Sequence, residues 1–161
     1  MRLIAAAAFC GLIAAPAAAD DWADCEALDR SLVSIDACTR LIDSGTLAGR
    51  DLATAYFNRA YSLDEVGHYA EAISDLTLAL NLHPTHGDSW RNRGVAYENM
   101  GVFDKAAADW ETEIEVVGPE SARWWQEWTR DNGGHYDGPI DGRMNPQLRD
   151  ALYACAVDPS C

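Results

Sequence analysis

Two histidines three residues apart, His83 and His86 in "NLHPTHGDSW", have a type and spacing that suit a metal ion. A zinc site needs more ligands than two, and no Cys or further His stands close by, so both read as solvent-exposed turn residues, as do His68 and His135. The loop "DNGGHYDGPIDG" is rich enough in Asp to suggest calcium. It lacks the ligand spacing and the closing bidentate Glu of a calcium loop, and Asp141 is expected instead to accept backbone N–H bonds that hold the loop together. Cysteine chemistry is the remaining candidate. Cys25, Cys38, Cys155 and Cys161 contain no CxxC spacing and have no His beside them, which favours structural disulfides over redox or metal chemistry. The spacing suggests Cys25 with Cys38 and Cys155 with Cys161, although four cysteines allow three connectivities. No Ser, His and acid arrangement and no marked carboxylate pair is present, so no enzyme, cofactor or metal is expected.

The elements that position these residues begin after residue 19. "MRLIAAAAFCGLIAAPAAA" sets one Arg ahead of an apolar run ending in small residues, the pattern of a cleaved secretory signal peptide over residues 1–19. That run, which contains Cys10, is too short for a membrane span, and no later segment has the ~20 apolar residues an integral segment needs. Export places the even set of cysteines in an oxidising compartment, the periplasm first and the extracellular medium as the alternative. Removing the signal takes away Arg2 and no acid, so the formal charge of −14 becomes −15. Such a surface repels phosphate backbones and anionic lipid, and nucleic acid is excluded as a partner.

The middle of the chain repeats itself. A shift of 34 residues lays Tyr56 on Trp90, Ala60 on Gly94, Gly67 on Gly101, Tyr69 on Phe103, Ala72 on Ala106 and Leu76 on Trp110. This is the period of a helix-turn-helix repeat. The small residue lets two helices approach, the Gly ends the first of them, and Pro84 and Pro119 close the second. An Arg-to-Asp spacing also recurs, Arg59 with Asp75 and Arg93 with Asp109, and predicts an ion pair across each helix pair.

"AYFNRAYSLDEVGHYAEAISDLTLALNLHP" and "SWRNRGVAYENMGVFDKAAADWETEIEVVGP" together resemble tetratricopeptide repeats. The resemblance implies an all-α fold, a short solenoid of antiparallel helix pairs, with two repeats over residues 52–119 and a divergent N-terminal unit over 20–51. It also implies that the inner face, lined by the first helix of each pair, binds a protein or peptide. Counted by helical turns, that face presents Thr54, Phe57 and Tyr61, then Asp88, Arg91 and Val95. Phe57, Tyr61 and Arg91 are the expected anchors. Because Arg91 is the only element of a basic clamp, a hydrophobic or basic segment fits better than an acidic tail.

Continuing the frame puts Trp124 on Trp90, and Trp90, Trp110 and Trp124 are expected in the core. Beyond "ESARWWQEWTRDNGG" the frame fails, since a second helix would have to cross Gly138, Pro139, Gly142 and Pro146. Residues 120–161 instead predict a capping helix, a turn-rich loop and a new helix with Pro146 in its first turn. With Gly134, Tyr136, Gly138, Ile140, Asp141 and Gly142 in the loop, and Trp125 and Trp128 ahead of it, residues 122–155 resemble a small helical peptidoglycan-binding domain. That family's Gly-Pro and Thr are replaced here by Asn145, Pro146 and Leu148, which removes a hydroxyl cap. The combined expectation is a non-catalytic, exported adaptor whose repeats bind another protein and whose terminal module touches peptidoglycan. The alternative is a peptidoglycan-binding protein whose repeats act as spacer or scaffold.

Overall fold

The computed structural model describes residues 19–27, 31–132 and 135–158. Most of the expected signal peptide, together with Gly134 and Cys161, lies outside them. Eight helices and no strand occur among the described residues: α1 (Ala19–Cys25), α2 (Ser31–Asp43), α3 (Gly49–Glu65), α4 (Tyr69–Leu82), α5 (Gly87–Asn99), α6 (Phe103–Val117), α7 (Pro119–Asp131) and α8 (Pro146–Val157). From α1 to α6 each helix packs against the next, giving a short helical-repeat solenoid. The order then changes, because α8 packs across α6 and α7 and closes the end of the stack.

The 34-residue period shows as repeated turn chemistry. Gly67 ends the α3 turn at φ +84° and Gly101 ends the α5 turn at φ +72°, a region that costs a side-chain-bearing residue strain. In the first turn His68 N–H donates to Leu63 O, and in the second Val102 N–H donates to Tyr97 O, both at 2.8 Å. These bonds satisfy carbonyls that the helix ends leave open. Within each pair, a small residue on the first helix faces a large one on the second. A Cβ on Gly94 would sit 2.3 Å from the Trp110 indole, so Trp110 can occupy this place only because residue 94 has no side chain.

The repeated ion pairs tie the layers together. Arg59 donates to both Asp75 oxygens at 2.6 and 2.9 Å, and Arg93 to both Asp109 oxygens at 2.7 and 2.8 Å. Each guanidinium also donates at 3.1 Å to a Thr of the preceding helix pair, Thr39 or Thr77. Both Arg side chains are held charged by their Asp partners, which outweigh the opposing effect of burial. Each lock therefore joins three helices, a role for Thr39 and Thr77 that the Arg-to-Asp spacing alone did not reveal. One more step of 34 residues from Arg93 reaches Glu127, so the lock is not repeated in α7.

Cys25 and Cys38 form a disulfide that fixes α1 on α2. Cys155 is buried and disulfide-bonded.

Candidate functional site

Residues of the predicted inner face meet between α3 and α5. Tyr61, Asn92 and Val95 stand around a recess of about 120 Å³ whose inner wall is Ala60 and Leu76 and whose edge carries Asp64 and Glu65. Phe57 lies one turn earlier on α3, half-buried, with its ring edge against His86 at 5.0 Å. The Thr54 hydroxyl donates to Arg50 O within its own helix. Tyr61 and Val95 thus share one recess, while Phe57 and Thr54 continue the same face toward the start of α3.

Arg91 lies in a different setting. Its guanidinium reaches Glu113 Oε1 at 2.5 Å and Asp88 Oδ1 at 3.3 Å, and it lies 5.1 Å from the Trp124 ring centre. Glu113 is 0% exposed, and its second oxygen accepts from Ser121 Oγ and from Trp125 Nε1 at 2.8 Å. One buried carboxylate thus gathers α5, α6 and α7. A buried ion needs such partners, because desolvation would otherwise cost more than any single contact returns. Glu113 was missed by sequence reasoning. It alternates with Glu111 and Glu115 in "WETEIEVV", and neither composition nor period marks which of the three points inward.

Two expectations about aromatic residues need correction. Trp110 is buried, but Trp90 is only half-buried and Trp124 is 44% exposed, with Trp125 taking the core position. The frame position is not a core one in either repeat, since Tyr56 and Trp90 are both only half-buried. Trp124 therefore faces outward beside Arg91, its ring nearly parallel to that of Trp128 at 5.9 Å. His83 and His86 are also not exposed turn residues. Both are half-buried, their rings 5.4 Å apart, and burial lowers the His86 pKa. No group of three or more His, Cys, Asp or Glu side chains that could hold a metal occurs among the described residues.

The C-terminal loop is organised around Gln126, a fully buried side chain of α7. Its Oε1 accepts from the N–H groups of Asp141 and Gly142 at 3.1 and 3.0 Å, and its Nε2 donates to Asp141 Oδ1 and Arg143 O at 3.0 and 2.9 Å. Asp141 also accepts from Arg143 N–H, as its loop-holding role requires; the Gln126 bond leads in keeping its carboxyl below the ordinary range. Tyr136 points inward at 1% exposure, donating to Pro139 O and accepting from Asn145 Nδ2. Gly138 lies against the Tyr136 ring, and Gly142 adopts φ +73° with a built Cβ only 2.8 Å from Pro119 O. Ile140 packs at the edge of the same core. Asn145 Oδ1 accepts from Leu148 N–H at 2.8 Å and caps α8. Tyr136 and Gly138 are thus taken up by the closure of the loop, while Asp141 remains exposed at its surface.

No family model matches the chain. It is similar to sperm-associated antigen 1A of Danio rerio, 34% identical over 91 residues, which is 56% of this chain and 21% of that protein. It is also similar to sperm-associated antigen 1 of Homo sapiens, 32% identical over 73 residues, 45% of this chain and 8% of that protein. The chain therefore spans about a fifth or less of the length of these curated relatives.

Proposed function

We propose that the protein is a non-catalytic, exported tetratricopeptide-repeat adaptor whose inner face, along α3, α5 and the exposed side of α7, binds a segment of another protein. The observation that carries this reading is the recess between α3 and α5. Asp75, Asp109 and Glu113 are used in joining helices and Gln126 in holding the C-terminal loop, whereas the inner face keeps a recess of about 120 Å³. The 34-residue recurrence of the turn bonds and of the Arg–Asp–Thr lock supports the repeat assignment. Two relatives that align over roughly half of the chain support it at the level of a shared helical segment.

Export is supported by the composition of residues 1–19 and by the Cys25–Cys38 disulfide, since such bonds persist in oxidising compartments such as the periplasm. In the terminal module the arrangement favours an end cap: the loop's one aromatic side chain is buried, and sugar recognition by stacking needs an open ring face.

Photo-cross-linking in the cells that make the protein tests the adaptor reading. A photoreactive side chain placed at Tyr61 should give a discrete adduct with another protein, and one placed at Tyr153, exposed on α8, should not. Adducts from Tyr153 alone would move the binding face to the other side of the array.

A further inference from the structure

The recess between α3 and α5 has an asymmetric charge. Tyr61, Val95 and Leu76 give it apolar sides, and Asp64 and Glu65 stand at one edge. Both acids lie in the last turn of α3, and Glu98 lies in the last turn of α5, one helical turn beyond Val95. Neither turn contains a basic residue. The peptide dipoles give a helix C-terminus partial negative charge, so acids there add to the field where cations would normally be placed.

No Lys, Arg or His pairs with Asp64, Glu65 or Glu98 among the described residues. The neutral Asn99 amide donates to the Asp64 oxygens at 3.4 and 3.5 Å, which supplies no opposite charge. Burial is the main cause raising the Asp64 carboxyl pKa, against the Asn99 bond, and it alone raises that of Glu98. The nearby cations are engaged elsewhere: Arg91 with Glu113 and Asp88, and Arg59 and Arg93 in the inter-helix locks. Arg50 is at the opposite end of α3, about 21 Å away along the helix.

We infer that this recess receives a lysine or arginine side chain from a partner protein, its aliphatic stem between Tyr61 and Val95 and its cationic end at Asp64 and Glu65. The inference rests on the inner face being the binding face and adds the chemistry of one anchor. Size agrees with this occupant: about 120 Å³ holds the end of one side chain and not a length of backbone. Long cationic side chains are suited to such a place, burying the stem while the charge stays near water at the mouth. Charge also agrees, since a cation here relieves both the uncompensated acids and the two helix ends.

Selection from a displayed library of random twelve-residue peptides, against the oxidised full chain, tests it. The expected peptides share Lys or Arg at one position. Replacing that residue in a synthetic copy by norleucine, or by its length-matched uncharged analogue, should weaken binding roughly tenfold. An Asp64→Asn/Glu65→Gln double variant should remove that difference while its thermal unfolding midpoint stays near that of the parent. Asp64→Asn alone serves if the double variant does not fold. Selected peptides with no shared basic residue, or equal affinity for the charged and uncharged copies, would overturn the inference and leave the adaptor reading standing. Failure to select any peptide would overturn both.

Discussion

At the residue scale, two kinds of carboxylate coexist. Glu113 is buried and fully paired, and removing it leaves Ser121 Oγ and Trp125 Nε1 without their acceptor while Arg91 keeps Asp88. Glu113→Ala should lower stability by about 2 kcal/mol in urea unfolding, because two buried donors lose their acceptor. The loss should be accompanied by a change in Trp fluorescence as Trp125 loses its acceptor. Asp64 and Glu98 are the opposite case. Their folded pKa values lie above the ordinary 3.8 and 4.5, so the folded form binds their protons more readily than the unfolded chain does. The stability this gives is complete below those ordinary values and is lost as pH rises through the raised folded ones. Near neutral pH both are charged at a cost, and Asp64→Asn should therefore leave stability unchanged or raise it by up to about 0.5 kcal/mol. A clear destabilisation in thermal unfolding would make Asp64 a structural group instead.

At the element scale, the helix pairs were legible because their signals are local and repeated. Gly67 and Gly101 each end the first helix of a pair at a positive φ, and Ala60 and Gly94 mark close approach. The Arg–Asp spacing was legible for the same reason. What escaped was set by phase and by contacts distant in sequence. The repeat frame did not mark Trp125 as the buried ring of α7, and Glu113 matters only because α7 folds back over it. The role of Gln126 was likewise hidden: nothing in "RWWQEW" says that its amide will face two backbone N–H groups fifteen and sixteen residues on. The disulfide pairing of Cys25 and Cys38 was legible from spacing, and its effect is confined to one end of the array. It joins α1 to α2 across a separation of 13 residues, so reduction should cost about 3 kcal/mol. Limited proteolysis should then cut first near α1 while α3–α6 stay resistant; simultaneous loss of all helices would mean that α1 nucleates the whole array.

At the scale of the whole molecule, the chain is a stack of helices with one end closed by α8, and its formal charge is −14. Twelve Lys and Arg residues face 26 acids, and several of those cations are used inside the fold. The lack of a basic clamp beyond Arg91 was legible in the sequence and favoured a basic or hydrophobic partner, whereas the grouping of Asp64 and Glu65 at one recess was not. The field of such a surface also steers a basic partner, so association should slow with added salt more than dissociation quickens.

A partner bound at the proposed inner face between α3 and α5 would leave the C-terminal loop, as a closing element, untouched. Amide and indole NMR shifts of the oxidised protein, followed while the partner segment or a library-selected peptide is added, test it most directly. Shifts are expected at Tyr61, Asp64, Asn92 and Val95 and at the exposed Trp124 indole, with residues 135–145 unmoved. Shifts concentrated in 135–145, with the α3–α5 recess silent, would contradict it.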